Sequence, residues 1–129
     1  MAWHPRPVSD NPAEIILYAE DDENDVFFME RAFSLLALRH RLRVVADGEK
    51  VLSYLNTASP GTLPYCLLLD LKMPKMSGLE VLAWLRKEPR FTTLPTVVFS
   101  SSTEKADLDF CRSHHANAFL AKPANAENL

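Results

Sequence analysis

At 129 residues the chain is the length of one compact domain, and its 47% hydrophobic and 24% charged residues exclude an intrinsically disordered protein. A formal charge of -3, with no basic cluster longer than His40, Arg41, Leu42, Arg43, argues against nucleic acid as a partner. Two cysteines, Cys66 and Cys111, give no disulfide framework or CxxC pair, and no stretch approaches the roughly 18 apolar residues of a membrane span, so a cytoplasmic protein with no membrane partner is expected.

In chain order, residues 1–12 form a Pro-rich polar arm and residues 13–129 one folded domain. A first strand is predicted over 15–19. Behind the acid-rich stretch Glu20, Asp21, Asp22, a helix over 25–38 places Val26, Met29, Ala32, Phe33 and Leu36 at helical spacing. A strand over 42–46 is punctuated by Asp47 and Gly48, and a helix over 49–56 has Val51, Leu52 and Leu55 on one face. After a Pro/Gly loop, the strand 66–69 ends on Asp70. Residues 72–78 cannot extend it, and a helix over 79–87 is stopped by Pro89. A strand over 96–99 is closed by Ser100, Ser101 and Ser102; Thr103 is the expected N-cap of a helix over 104–114; a short strand over 118–120 ends at Lys122 and Pro123. Strands and helices alternate strictly, the signature of βα units feeding a parallel sheet.

The unusual polar residues fall just after strands: Glu20 and Asp21 after the first, Asp70 after the third, Ser100 after the fourth, Lys122 after the fifth. In an open parallel sheet of order 2-1-3-4-5, the ligand site lies outside the carboxyl ends of the strands at the switch point between the first and third. Three carboxylates then converge, and such crowding is relieved by a proton or by a hard cation with oxygen ligands, most naturally Mg2+ (or Mn2+). Beside a cation a carboxylate can act as nucleophile, Ser100 can offer a hydroxyl to a phosphoryl oxygen, and Lys122 can supply the opposing charge. A single acid at a strand end is ordinarily a turn or cap residue, the reading Asp22 and Asp25 keep, and Ser101 and Ser102 read as turn residues. The site rests on all four strand ends agreeing.

The motifs ILYAEDD, LLLDLKMPKMSGLEVL, PTVVFSSS and FLAKP resemble, in order, those of the receiver domains of two-component response regulators, covering Ile15 to Pro123. The resemblance implies a flavodoxin-like, doubly wound five-stranded parallel sheet. It implies that Asp70 is the phosphoacceptor, with Glu20 and Asp21 the acidic pair at the metal and Lys72 lending its backbone carbonyl. Ser100 matches the switch hydroxyl, Ser101 the small residue after it, Phe119 the aromatic switch and Lys122 the family lysine, and the Lys122–Pro123 peptide is expected to be cis. Lys72 and Ser102 take the two variable positions flanking the phosphoryl group. The implied function is signalling by protein contacts after phosphotransfer from a sensor histidine kinase or histidine phosphotransfer protein, with self-catalysed dephosphorylation and no other enzymatic turnover. A closer likeness is to stand-alone receivers serving phytochrome-like kinases.

Three departures stand out. Glu20 replaces the commoner Asp, Phe119 lacks the hydroxyl of the usual Tyr, and the chain stops where the family begins a fifth helix. The face left by that missing or truncated helix is expected to be covered, with a homodimer the favoured cover and the N-terminal arm with Trp3 the alternative. Two rival functions fit the pattern less well. An aspartyl-phosphate phosphatase of the haloacid-dehalogenase type needs a second Asp two residues after the nucleophile, where Lys72 stands; a pseudo-receiver that takes no phosphate usually lacks an acid or the lysine. His4, His40, His114 and His115 do not face one site and are expected to be solvated, and Trp84 is expected in the core beside Val81, Leu82 and Leu85.

Overall fold

The protein is described by a computed structural model over residues 14–36, 41–102 and 104–122. Strand β1 (Ile15–Ala19) is followed by α1 (Glu23–Leu35), β2 (Arg41–Val45), α2 (Gly48–Thr57), β3 (Cys66–Leu69), α3 (Gly78–Lys87), β4 (Thr96–Ser100), α4 (Lys105–Ser113) and β5 (Ala118–Ala121). The Pro/Gly loop between α2 and β3 carries an unpredicted short 3-10 turn, Pro60–Thr62. The strands form one parallel sheet in the order β2-β1-β3-β4-β5, the flavodoxin-like order expected. The arm, Trp3, His4, His40, Thr103, Pro123 with its peptide bond, and the stretch where a fifth helix would start lie outside the described residues.

The inner strands read as continuous apolar runs because both of their faces are covered. IILYA of β1 and CLLL of β3 are almost wholly buried, whereas β2 and β5 at the edges are half-buried or exposed. Leu17, Leu67, Leu69 and Val98 from the sheet pack with Val51 and Leu55 of α2 and Val81, Leu82 and Leu85 of α3. Each such side chain contributes about 1.5–3 kcal/mol by leaving water. Trp84 packs against this core, its ring 5.5 Å from that of Phe91. Both cysteines are free and buried.

Three helices start on the caps their sequences offer. Asp22 accepts from the N–H groups of Asn24 and Asp25 at 2.8 and 3.1 Å, Asp47 from Lys50 at 2.8 Å, and Ser77 from Glu80 at 3.3 Å. Helix α4 starts from Glu104 with no side-chain cap. Helix α1 begins two residues earlier than predicted, because Asp22 rather than a later acid is the cap, and its apolar face is less covered than its spacing suggests. Val26, Met29, Ala32 and Phe33 are half-buried, while Phe27, Leu35 and Leu36 are exposed.

One side chain ties two helices and a loop together. The Arg86 guanidinium donates to the carbonyls of His114 and His115 at the end of α4 (both 3.0 Å) and to those of Leu94 (3.2 Å), Phe91 (3.3 Å) and Thr92 (3.5 Å) before β4. A planar fork of five donors suits this cluster as no ammonium can.

Candidate phosphoacceptor site

The ladder places the site residues. Parallel pairing aligns Ala19 of β1 with Leu69 of β3, so Glu20 and Asp70 leave the sheet side by side. Backbone hydrogen bonds continue past the strand ends, from Glu20 N–H to Val45 (3.0 Å), Asp70 N–H to Ala19 (3.1 Å) and Lys122 N–H to Ser100 (2.9 Å). Four strand ends and the start of α1 thereby meet at one cavity of about 530 Å³, lined by Glu20, Asp21, Asp25, Asp70, Lys72, Ser101, Lys122 and the rest of the α1 start. It sits at the switch point between β1 and β3, as the strand order requires.

Glu20, Asp21 and Asp70 offer carboxylate oxygens within 4.8 Å of one another. Glu20 and Asp70 are buried and Asp21 is exposed. Glu20 Oε1 accepts from the Tyr18 hydroxyl at 3.2 Å and from Lys122 Nζ, and Oε2 accepts from Asp22 N–H at 3.2 Å. The Lys122 side chain is only 10% exposed and its ammonium also meets Asp25 Oδ2 at 2.8 Å and Asp70 Oδ1 at 3.6 Å. This lysine is buried because three carboxylates surround it, against the usual solvated place of the residue.

Burial pushes the Glu20 carboxyl up to about 7, a rise that the hydrogen bond from Lys122 opposes without cancelling. Burial likewise raises Asp70, against the pull of Lys122, of a hydrogen bond shared with Glu20 and of Lys72 N–H. Lys122 is held firmly as the ammonium: its hydrogen bonds to Asp25 and Glu20 outweigh the opposing effect of burial. Burial is the main cause of both rises and a neighbouring carboxylate adds to each, so a proton or a cation would relieve the site.

The predicted site residues divide. Glu20, Asp21, Asp70, Lys72, Ser101 and Lys122 come together around the cavity. Ser100 is fully buried beneath it, and its Oγ accepts from Ser102 N–H at 3.2 Å; Ser102 in turn gives its hydroxyl to Asp107 in the first turn of α4. Phe119 is half-buried on β5, lining a separate cavity of about 190 Å³ with Leu108, Cys111 and Ala116. Asp25, read from sequence as a first-turn residue, is a direct partner of Lys122. The signal was present: a helix following β1 points its first turn at the strand ends, so an acid there faces the site. His114 stacks on Phe110 at 4.0 Å, and among the described residues the trio of Glu20, Asp21 and Asp70 is the one group of three or more potential His, Cys or carboxylate metal ligands.

The chain belongs to the response regulator receiver domain family, whose model matches residues 16–129. It is 38% identical over 117 residues to the "Probable methanogenesis regulatory protein FilR2" of Methanothrix harundinacea, covering 89% of this chain and 76% of that one. Response regulator Rcp1 of Synechocystis is 30% identical over 122 residues, 92% of this chain and 83% of Rcp1. The Mn(2+)-bound crystal form of Rcp1 superposes with a TM-score of 0.81 at 29% identity, over 89% and 85% of the two chains. The phosphorylated cyanobacterial phytochrome response regulator RcpA also superposes at 0.81, with 30% identity over 89% and 84%. This chain is thus a receiver domain related to phytochrome response regulators, and an acidic divalent-metal site accords with the metal-bound neighbour. Among the described residues no helix is long and apolar enough to cross a membrane.

Proposed function

We propose that the chain is the phosphoacceptor of a two-component phosphorelay, taking a phosphoryl group on Asp70 from a phosphohistidine of a sensor histidine kinase or phosphotransfer protein. The observation that carries this is the convergence of Glu20, Asp21 and Asp70 within 4.8 Å, with the Lys122 ammonium 3.6 Å from Asp70. An all-oxygen donor set built from carboxylates fits Mg2+ or Mn2+. Glu20, Asp21 and Asp70, with the Lys72 carbonyl, would hold the ion, which when bound supplies charge neutralisation for phosphoryl transfer.

An oxygen of Asp70 attacks the phosphorus in line with the phosphoramidate bond. The P–O bond forms as the P–N bond breaks, and the imidazole leaves with a proton. Lys122 lies close enough to pair with a phosphoryl oxygen, and Ser101 borders the space that group enters. The Ser100 hydroxyl turns from Ser102 N–H toward the phosphoryl group, freeing the β4–α4 loop, and Phe119 repacks against its neighbouring cavity. Output is therefore a population shift at α4 and β5, read by a protein partner. Water releases the phosphate at a rate set in part by Lys72 and Ser102. The chain turns over no separate substrate and acts in the cytoplasm.

Self-association belongs to the same proposal. Leu120 on β5 and Leu35 and Leu36 at the end of α1 are large apolar side chains left exposed among the described residues, and a second copy would cover them. A monomeric mass by light scattering at working concentration refutes it.

The phosphoacceptor reading is tested by intact-mass spectrometry after incubation with Mg2+ and a small acyl phosphate. One added phosphoryl group is expected, lost with chelator and in Asp70→Asn. No gain in a demonstrably folded protein overturns the reading in favour of a phosphate-independent interaction module.

A further inference from the structure

Both oxygens of Glu20 are already engaged. Its Oε1 already serves both Tyr18 and Lys122, and Oε2 serves Asp22 N–H. A divalent cation among Glu20, Asp21 and Asp70 needs one of these oxygens, and a dication and an ammonium on the same carboxylate repel each other. Lys122 must then stand off from Glu20 without escaping to water, since its side chain is only 10% exposed. Of the three carboxylates within 4 Å of its ammonium, Asp25 alone lies outside the cation trio. It reaches Lys122 from a different element, the first turn of α1, at 2.8 Å.

We infer that Asp25 is a positioning residue for Lys122, holding the ammonium beside Asp70 when Glu20 is given over to a divalent cation. This rests on the proposed phosphoacceptor reading. Asp25 makes two occupancies compatible that would otherwise exclude each other, the cation at Glu20 and the ammonium near the acceptor. Its loss leaves Lys122 anchored on Glu20 and so competing with the cation.

Mn2+ binding is measured by calorimetry on the wild type, Asp25→Asn, Asp25→Glu and Glu23→Gln. Glu23 is exposed at the rim of the same cavity, so Glu23→Gln removes an equal charge without touching Lys122. Coupled sites commonly influence each other about 5-fold or more, and Asp25→Asn is expected to weaken Mn2+ roughly tenfold, Glu23→Gln clearly less. Asp25→Glu restores most of the affinity. In a Lys122→Met background the effect of Asp25→Asn shrinks to that of Glu23→Gln. The inference is overturned if Asp25→Asn equals Glu23→Gln, or if its effect survives unchanged in Lys122→Met. Those outcomes leave the phosphoacceptor reading standing, whereas a wild type that takes up no Mn2+ removes the cation site and the inference with it.

Discussion

Replacing Gly78 by alanine should damage both stability and phosphorylation through one cause. Gly78 opens α3 directly against the exit of β3: its N–H donates to the Leu71 carbonyl at 2.9 Å, and a Cβ would lie 2.2 Å from the Asp70 carbonyl oxygen and 2.7 Å from Leu71 Cα. Ordinary contact begins near 3.4 Å, and both obstacles are backbone, so no side chain can swing aside. Helix α3 or the chain at Asp70 must move by on the order of 1 Å, and overpacking of this kind costs about 1–3 kcal/mol. A displacement of ~1 Å at a reacting group can lower a rate by about 10²-fold. Denaturant unfolding reads the first effect and the acyl-phosphate rate at saturating Mg2+ the second. Gly61→Ala is the control, since a Cβ there meets nothing within 4 Å, and its effect should stay within about 0.5 kcal/mol. A Gly78→Ala protein with wild-type midpoint and rate would refute the claim that this close approach sets the position of Asp70.

Two further predictions follow from charge and hydrogen bonding. Glu20 titrates near 4.5 in an unfolded chain and at about 7 in the folded, metal-free protein, so the folded state holds the extra proton between these values. Its contribution to stability is complete below about 4.5 and is lost as pH rises through about 7; melting temperatures in chelator from pH 5 to 8 should fall along that limb, and Glu20→Gln should flatten it, whereas an unchanged slope in Glu20→Gln would assign the titration elsewhere. Arg86→Lys should cost about 2 kcal/mol, because one ammonium cannot serve five carbonyls on two segments, and a loss below about 0.5 kcal/mol in denaturant unfolding would show that water replaces the fork.

The order and type of the strands and helices, and the strand-end position of Glu20, Asp21, Asp70, Ser100 and Lys122, were legible from the chain. Strand apolarity, Pro/Gly punctuation and helix caps are local signals, and the parallel α/β architecture converts strand ends into one site. Boundaries shifted by one to three residues, as when Asp22 opened α1 two residues early, α1 ended at Leu35 rather than at 38, and Ser100 joined β4 through its pairing with Ala121.

What only the tertiary structure decided concerns pairs far apart in sequence. Asp25 and Lys122 are 97 residues apart and meet because α1 starts over the end of β1 while β5 closes the other flank of the sheet. Ser101 rather than Ser100 lines the cavity, since Ser100 is fully buried beneath it with its Oγ engaged by Ser102 N–H. The pairing of Arg86 with the end of α4, and the burial that lifts Glu20, likewise arise from packing. Sequence alone thus placed Glu20, Asp21, Asp70 and Lys122 at strand ends, and the tertiary structure decided that Asp25 joins them and which of them touch, because contact depends on register and helix placement that no local pattern encodes.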